Sequence, residues 1–337
     1  MFKKMIVAAG VSAMFLTYAA DARQIEWSGY TWNVRTSGSQ LQGPGPNLFS
    51  DGTQSVWVDG NGDLHLKIRQ ATNGKWYAAE IDMTESLSFG TYEWELSSRY
   101  DLFSPDAVAG MFTYLDPQSV ANQTSGSVGN GIGDTPHEID IEMTGAWGSA
   151  NLYMTTHDPD VQSPSKNFYQ ALTGDFTTHR FTWAPDSIKW NSYNGHVAGV
   201  ANPPNPIVEQ RPGANNGNPA EFLYTGPIIP EDLNEIPIIN FWLTGPNASV
   251  NGPANGLEQE LIIHSFTYTP LATEPEPIPG DINGDGFVGI ADLNIVLGNW
   301  NAGTPPAAGN PSIPEPATVL VWGAGCGCLS LRRRLKG

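Results

Sequence analysis

Cysteine is nearly absent: the 337 residues hold two, Cys326 and Cys328, one residue apart near the C-terminus. They carry no catalytic or metal role in this reading, and no disulfide can staple the body of the chain. A fold there has to rest on a large apolar core. Basic residues are scarce, 16 Lys and Arg against 34 Asp and Glu, for a formal net charge of −18. That balance argues against nucleic acid and anionic membrane surfaces as partners, and suits a neutral substrate or bound calcium. Long apolar runs are missing as well. Residues 5–16 and 317–331 are apolar, but both runs fall short of the roughly 20 residues that span a bilayer comfortably. Helical periodicity is the last absence: from Glu26 to Pro270 no window of helical length sustains it.

What fills that region is β-structure. Short runs rich in Val, Ile, Thr, Trp and Tyr alternate with Gly, Asn, Asp and Pro clusters. Residues 55–59 and 64–68, separated by Gly60-Asn61-Gly62-Asp63, have the pattern of a hairpin. Segments 91–96, 180–183 and 262–268 alternate apolar and polar residues. Many short strands with turn signals predict a sandwich or barrel. At the start, Lys3 and Lys4, the apolar run and Ala20-Asp21-Ala22 follow the order of a secretory signal, so the exported chain is expected to begin near Arg23.

The most informative segment is Glu138-Ile139-Asp140-Ile141-Glu142-Met143. Its period of two predicts a strand with three carboxylates on one face and three apolar residues on the other. Neighbouring same-face side chains on a strand stand roughly 7 Å apart at the root. Three like charges there repel, and Asp and Glu are poor strand formers. A half-solvated strand would tolerate the pattern; retaining glycoside hydrolysis suits it on geometric grounds. That chemistry needs two carboxyl groups roughly 5–5.5 Å apart, one nucleophile and one acid/base. The Glu138 and Glu142 backbones are expected about 13 Å apart, a gap two glutamates leaning together over a cleft can close. Asp140 between them could hold a proton and separate their pKa values. Residues 129–136, rich in Gly and Asn, form the loop expected to deliver the chain into this strand.

His137 to Glu142 resembles the active-site signature of family-16 glycoside hydrolases, in which Glu, Asp and Glu alternate. The resemblance extends over most of residues 25–270, through 43–47, 62–66, 90–95, 111–114, 181–190 and 238–242. It implies an all-β, concanavalin-like jelly roll of two curved antiparallel sheets, with the substrate across the concave face. It also implies Glu138 as nucleophile, Asp140 as its electrostatic helper and Glu142 as general acid/base. The signature has no extra residue between Asp140 and Glu142, the spacing of lichenase-like and xyloglucan-active members. That tilts the expected substrate toward β-1,3-1,4-glucan or a related β-glucan. Trp147, Trp242 and Tyr114 are candidates to stack on sugar rings, with core packing the alternative for each. His157, Glu80 and Asn240 fall on segments expected to face the same cleft. Chemistry of this kind needs no metal or organic cofactor.

A second motif follows the Pro-rich residues 274–279. Asp281, Asn283 and Asp285 stand at positions 1, 3 and 5 of an EF-hand-like loop, with Gly286 at the turn, the Phe287 carbonyl at position 7 and Asp292 at position 12. Residues 293–297 would continue as a short helix, and Ca2+ would be structural. Aspartate at position 12 resembles dockerin repeats. A single repeat weighs against cohesin binding and leaves a calcium-rigidified spacer as an equal alternative. The tail, Pro314-Glu315-Pro316, an apolar run and Arg332 to Lys336, resembles a PEP-CTERM sorting signal. It implies exosortase processing at the surface of a Gram-negative-like bacterium; a permanent short anchor is the competing reading.

The expected organisation is therefore a signal peptide over 1–22, the hydrolase domain over 23–270, a linker over 271–279, the calcium repeat over 280–301, a linker over 302–312 and the sorting segment over 313–337. The expected protein is a monomeric, secreted, endo-acting hydrolase of a β-linked polysaccharide. A transglycosylase on β-glucans and a non-catalytic carbohydrate-binding surface protein are the alternatives.

Overall fold

The structure is a computed structural model that describes residues 23–114, 138–147, 150–157, 163–211, 217–272 and 278–303. The expected signal peptide and sorting segment, most of both expected linkers and the segment 129–136 lie outside these residues. The chain divides into two compact units, Met1–Ala272 and Thr273–Gly337. The first is a β-sandwich jelly roll. In chain order its strands are β1 (Gln24–Trp27), β2 (Tyr30–Val34), β3 (Val56–Val58), β4 (Leu64–Gln70), β5 (Trp76–Tyr77), β6 (Ala79–Met83), β7 (Gly90–Leu96) and β8 (Ala107–Tyr114). They continue with β9 (Glu138–Trp147), β10 (Ala150–His157), β11 (Ser165–Phe168), β12 (Thr177–Ala184), β13 (Ser187–Asn194), β14 (Glu221–Tyr224), β15 (Ile236–Leu243) and β16 (Gln259–Pro270).

One antiparallel sheet runs β1-β2-β6-β15-β8-β9-β10-β11, and the other β14-β13-β12-β7-β16-β4-β3 with β5 beside β4. Strand alternation builds the layer between them. Ile139, Ile141 and Met143 of β9 join Ala109 and Met111 of β8 and Ile239 and Phe241 of β15. Tyr92 and Trp94 of β7, Phe181 and Trp183 of β12 and Trp190 of β13 complete the same core from the second sheet. Burying large aromatics of this kind is the stabilising term that replaces disulfides here. Their polar edges are used as well. The Trp183 indole donates to the Pro230 carbonyl at 3.1 Å, and Trp190 donates across the core to the Asp140 carbonyl at 2.9 Å.

The hairpin expected around residues 60–63 is β3–β4, with Val56 opposite Leu66. Segment 262–268 departs from the simple alternation its sequence suggests. Ile263 pairs with Leu96 but Ser265 pairs with Glu95, so His264 is the extra residue of a β-bulge. The bulge switches parity along β16: Leu261 and Ile263 enter the core before it and Phe266 after it.

In the second unit, residues 281–289 loop into the helix Ile290–Gly298. This helix is longer at both ends than the expected 293–297.

Candidate active site

Because Ile139, Ile141 and Met143 point into the core, Glu138, Asp140 and Glu142 must occupy the opposite face of β9. Strand register then decides what surrounds them. Glu138 lies between Tyr114 on β8 and His157 on β10; Asp140 between Phe112 and Thr155; Glu142 between Gly110 and Tyr153. One strand further, Asn240 and Ile238 of β15 stand opposite Gly110 and Phe112. Beyond them Glu80 and Asp82 of β6 stand opposite Asn240 and Ile238. The carboxylate trio therefore sits mid-sheet on a row of side chains that crosses five strands.

Within the trio the contacts are close. Glu138 and Asp140 share a hydrogen bond that favours the proton on Glu138. His157 Nε2 stands 3.1 Å from Asp140 Oδ2, an ion-pair approach whose angle leaves that buried oxygen without a hydrogen bond. The other ring nitrogen, Nδ1, is 3.1 Å from Ser163 Oγ. One atom from each of Glu138, Asp140 and His157 lies within 4.8 Å of the others.

Burial is the main reason that all three carboxyls are pushed above the usual range, Glu138 and Asp140 well above it. The charges of Asp140 and Glu142 raise Glu138 further while His157 opposes. For Asp140 the Glu142 charge adds to burial, and for Glu142 only His157 pulls the other way. Groups this close share protons and titrate as a unit. The arrangement can keep one carboxyl protonated as an acid while another is ionised, at a pH where isolated carboxylates have all lost their protons.

The remaining candidates fall in different environments. Glu80 is fully buried and paired with Arg35 at 2.8 Å, with Asn240 Nδ2 at 3.4 Å from its other oxygen. Burial outweighs these partners and pushes its carboxyl up to about 7. Asn240 keeps Oδ1 buried without a hydrogen-bond partner. Gly110 makes room for that oxygen, since a Cβ there would come within 2.5 Å of it. Tyr114 is on the expected face but is packed, only 4 % exposed, in a small cluster with Phe112 and Ile238. Trp242 shares that face of β15, half-buried, beside the loop carrying Gly45. Trp147 ends β9 opposite Ala150; its side chain lies outside the described residues. Sequence reasoning did not single out Arg35, Tyr153 or Trp190. Of these only Tyr153 carried a signal: it shares the parity of His157 on the next strand.

No protein-family model matches the sequence, and no curated protein does. Solved structures do resemble the fold. A prokaryotic β-1,3-1,4-glucanase (lichenase) derived from a mouse hindgut metagenome has 17 % identity over 71 % of this chain and 93 % of its own, with a TM-score of 0.48. The Bacillus licheniformis β-glucanase has 18 % identity over 76 % of this chain and 96 % of its own, at 0.46. Rv0315 of Mycobacterium tuberculosis, described as an immunostimulatory antigen and pseudo β-1,3-glucanase, has 18 % identity over 70 % and 89 %, also at 0.46. At this level of likeness nothing about the site follows from them.

In the second unit the loop closes on its own carboxylates. Asp281 accepts N–H bonds from Gly284, Asp285 and Gly286, and Asp292 accepts them from Ile282, Asn283 and Gly289. Those bonds, Gly289 first, hold the Asp292 carboxyl below its usual range. Gly284 and Gly286 take positive φ values of 72° and 83°, the left-handed region that favours glycine. The donor set of Asp281, Asn283, Asp285, the Phe287 carbonyl and Asp292 is all oxygen and fits a hard cation. The three aspartates do not converge on one point as the Glu138 group does.

Proposed function

We propose that this chain is a secreted, endo-acting, retaining glycoside hydrolase of family 16, acting on a β-linked glucan of the β-1,3-1,4 type. The observation that carries the reading is the row of three carboxyls on one face of an inner strand, Asp140 buried between half-buried Glu138 and Glu142, with Glu138 and Asp140 sharing a hydrogen bond. Glu138 would attack the anomeric carbon while Glu142 protonates the departing glycosidic oxygen. Glu142, now a base, would activate the water that releases the glycosyl-enzyme. The hydrogen bond between Glu138 and Asp140 gives the attacking carboxylate a place to pass its proton. If the proton rests on Asp140 when substrate binds, Glu138 is ionised and is held by a donor.

The test is digestion of lichenan, laminarin, xyloglucan and agarose, with early products followed by NMR. The expected result is release of oligosaccharides from lichenan with the β-anomer appearing first. An α-anomer would remove the retaining mechanism, and binding without cleavage would make the protein a carbohydrate-binding one. Products lengthened on added sugar acceptors would mark a transglycosylase.

The pH profile offers a sharper check. With all three carboxyls raised, both limbs of the kcat/KM profile should lie above the range of free carboxylates. Asp140→Asn removes from beside Glu138 a negative charge that raises it, while the amide oxygen can still accept its proton. The acidic limb should therefore move to lower pH in the variant. An unmoved limb would separate Asp140 from the ionisation of Glu138.

For the 280–301 repeat we propose structural Ca2+ held by the five oxygen donors named above. Chelation by EGTA should leave glucan cleavage unchanged while exposing the repeat to proteolysis; unchanged proteolysis would remove calcium from the account. Export through the N-terminal signal and surface sorting through the tail belong to the same proposal. Processing of the tail is checked by the mass of the chain recovered from the cell surface.

A further inference from the structure

On the sheet that does not carry the carboxylate trio, the bulge in β16 turns His264 onto His196. The two imidazoles stack with centroids 4.8 Å apart and planes at 12°. Glu95 of β7, opposite Ser265 in the register, completes a group in which one ligand atom from each of Glu95, His196 and His264 lies within 4.8 Å of the others.

The hydrogen bonds around the group decide which atoms are free. His264 Nδ1 is 2.7 Å from Asp63 Oδ1 and donates to that carboxylate, so in the neutral ring Nε2 carries the lone pair. His196 Nε2 donates to the Leu96 carbonyl at 2.9 Å, which leaves the lone pair on Nδ1. A carbonyl cannot donate, so this second tautomer has no alternative. Glu95 accepts one bond on each oxygen, from Ala198 N and from Ser265 Oγ, both at 2.8 Å, and keeps a further lone pair on each. No lysine or arginine among the described residues is ion-paired with Glu95 or Asp63.

We propose that Glu95, His196 and His264 bind one divalent transition-metal ion, of which zinc is the natural probe. Two imidazoles and a carboxylate suit zinc, nickel or copper rather than calcium or magnesium. The outer contacts have the form metal sites use: a carboxylate and a main-chain carbonyl orient the two ligating rings. Ligand atoms around tetrahedral zinc stand about 3.3 Å apart, and rings stacked at 12° aim their in-plane lone pairs along parallel planes, so binding requires the His264 ring to turn out of the stack as the group closes by up to about 1.5 Å. The His264 side chain, 47 % exposed, has the freedom to make that movement. The ion would tie the 195–199 loop to the β16 bulge, with its fourth position left to water. This inference is independent of the sugar chemistry.

Metal-stripped full chain would be titrated with zinc by calorimetry, with millimolar calcium and magnesium present to occupy oxygen-only sites. One saturable site is expected. His196→Ala and His264→Ala should each weaken it at least about tenfold, and zinc should raise the melting temperature of wild type but not of the variants. Asp63→Asn keeps all three ligands and should still weaken binding about tenfold. His157→Ala, which breaks the other group of converging ligand atoms, should leave it unchanged. Cobalt in place of zinc should give the visible absorption of a four-coordinate site in wild type, a reading that needs no variant to fold. Absence of saturable zinc binding would overturn the proposal, as would equal affinity in His196→Ala and His264→Ala, or loss of the site in His157→Ala alone.

Discussion

Glu138→Ala should lower turnover on β-glucan by at least about 10⁴-fold, and azide should restore part of it. The carboxylate is the proposed nucleophile, and its removal leaves a space on the side from which the anomeric carbon is attacked. Azide entering that space would form a glycosyl azide of inverted configuration, with Glu142 still protonating the leaving oxygen. Glu142→Ala should behave differently. Its glycosyl-enzyme would form only from substrates with good leaving groups, and azide would then capture it with net retention. Exchange of the two outcomes would reverse the assigned roles, and unchanged turnover in Glu138→Ala would end the hydrolase reading. The same variant bears on stability. Glu138 binds its proton more tightly folded than unfolded, so its favourable contribution is complete below its ordinary value of 4.5 and is lost as pH rises through the raised one. At neutral pH Glu138→Ala should therefore melt no lower than wild type. Full stability with lost turnover is the signature of a group kept for chemistry.

The functional strand was legible because its information is local. Period two, read over six residues, sufficed to put Ile139, Ile141 and Met143 in the core and the carboxylates on the other face. Hairpin β3–β4 was legible for a related reason, since the turn residues at 60–63 dictate its register. Neighbours that depend on long-range pairing were not legible. Arg35 meets Glu80 across 45 positions of sequence, and Trp190 reaches the Asp140 carbonyl across 50. No periodicity encodes such pairs. Tyr114 illustrates a subtler shortfall: the sequence offered it as a sugar-stacking candidate, but only the packing of Phe112 and Ile238 around it shows that it is covered.

The β16 bulge escaped for a physical reason. Ile263 and Phe266 both enter the core at a spacing of three, which strict alternation forbids. An apolar pair with two polar residues between them also fits a strand whose second member faces solvent. The choice is made by the pairing partner, where Trp94 lies opposite Phe266 and Leu96 opposite Ile263. The bulged residue, His264, is the one that meets His196. The least legible feature of the strand thus creates the metal-ligand geometry.

Gly145→Ala should be the most damaging single-methyl change in β9. Three residues beyond Glu142, β9 passes against the end of the 3₁₀ turn Tyr100–Leu102. A Cβ on Gly145 would lie 1.7 Å from the Phe103 carbonyl oxygen and 2.6 Å from its carbon. The obstacle is main chain, so no rotamer change relieves it. Nor can the 103–106 segment readily withdraw: Ser104 N donates to Gln259, the Pro105 carbonyl accepts from Thr144, and the Phe103 ring packs on Phe241. Either β9 leaves its register beside β8 or the core opens behind it. Overpacking against unyielding backbone is expected to cost about 3 kcal/mol or more. In a domain of this size that lowers the melting temperature by roughly 6–12 °C. Glu142 would move with the strand, so turnover should fall even where the variant remains folded. Gly174→Ala is the control, because a Cβ there meets nothing within 4 Å, and it should stay within about 0.5 kcal/mol of wild type. Equal melting of the two variants would mean that β9 is not held against Phe103, and that the trio does not owe its placement to that contact.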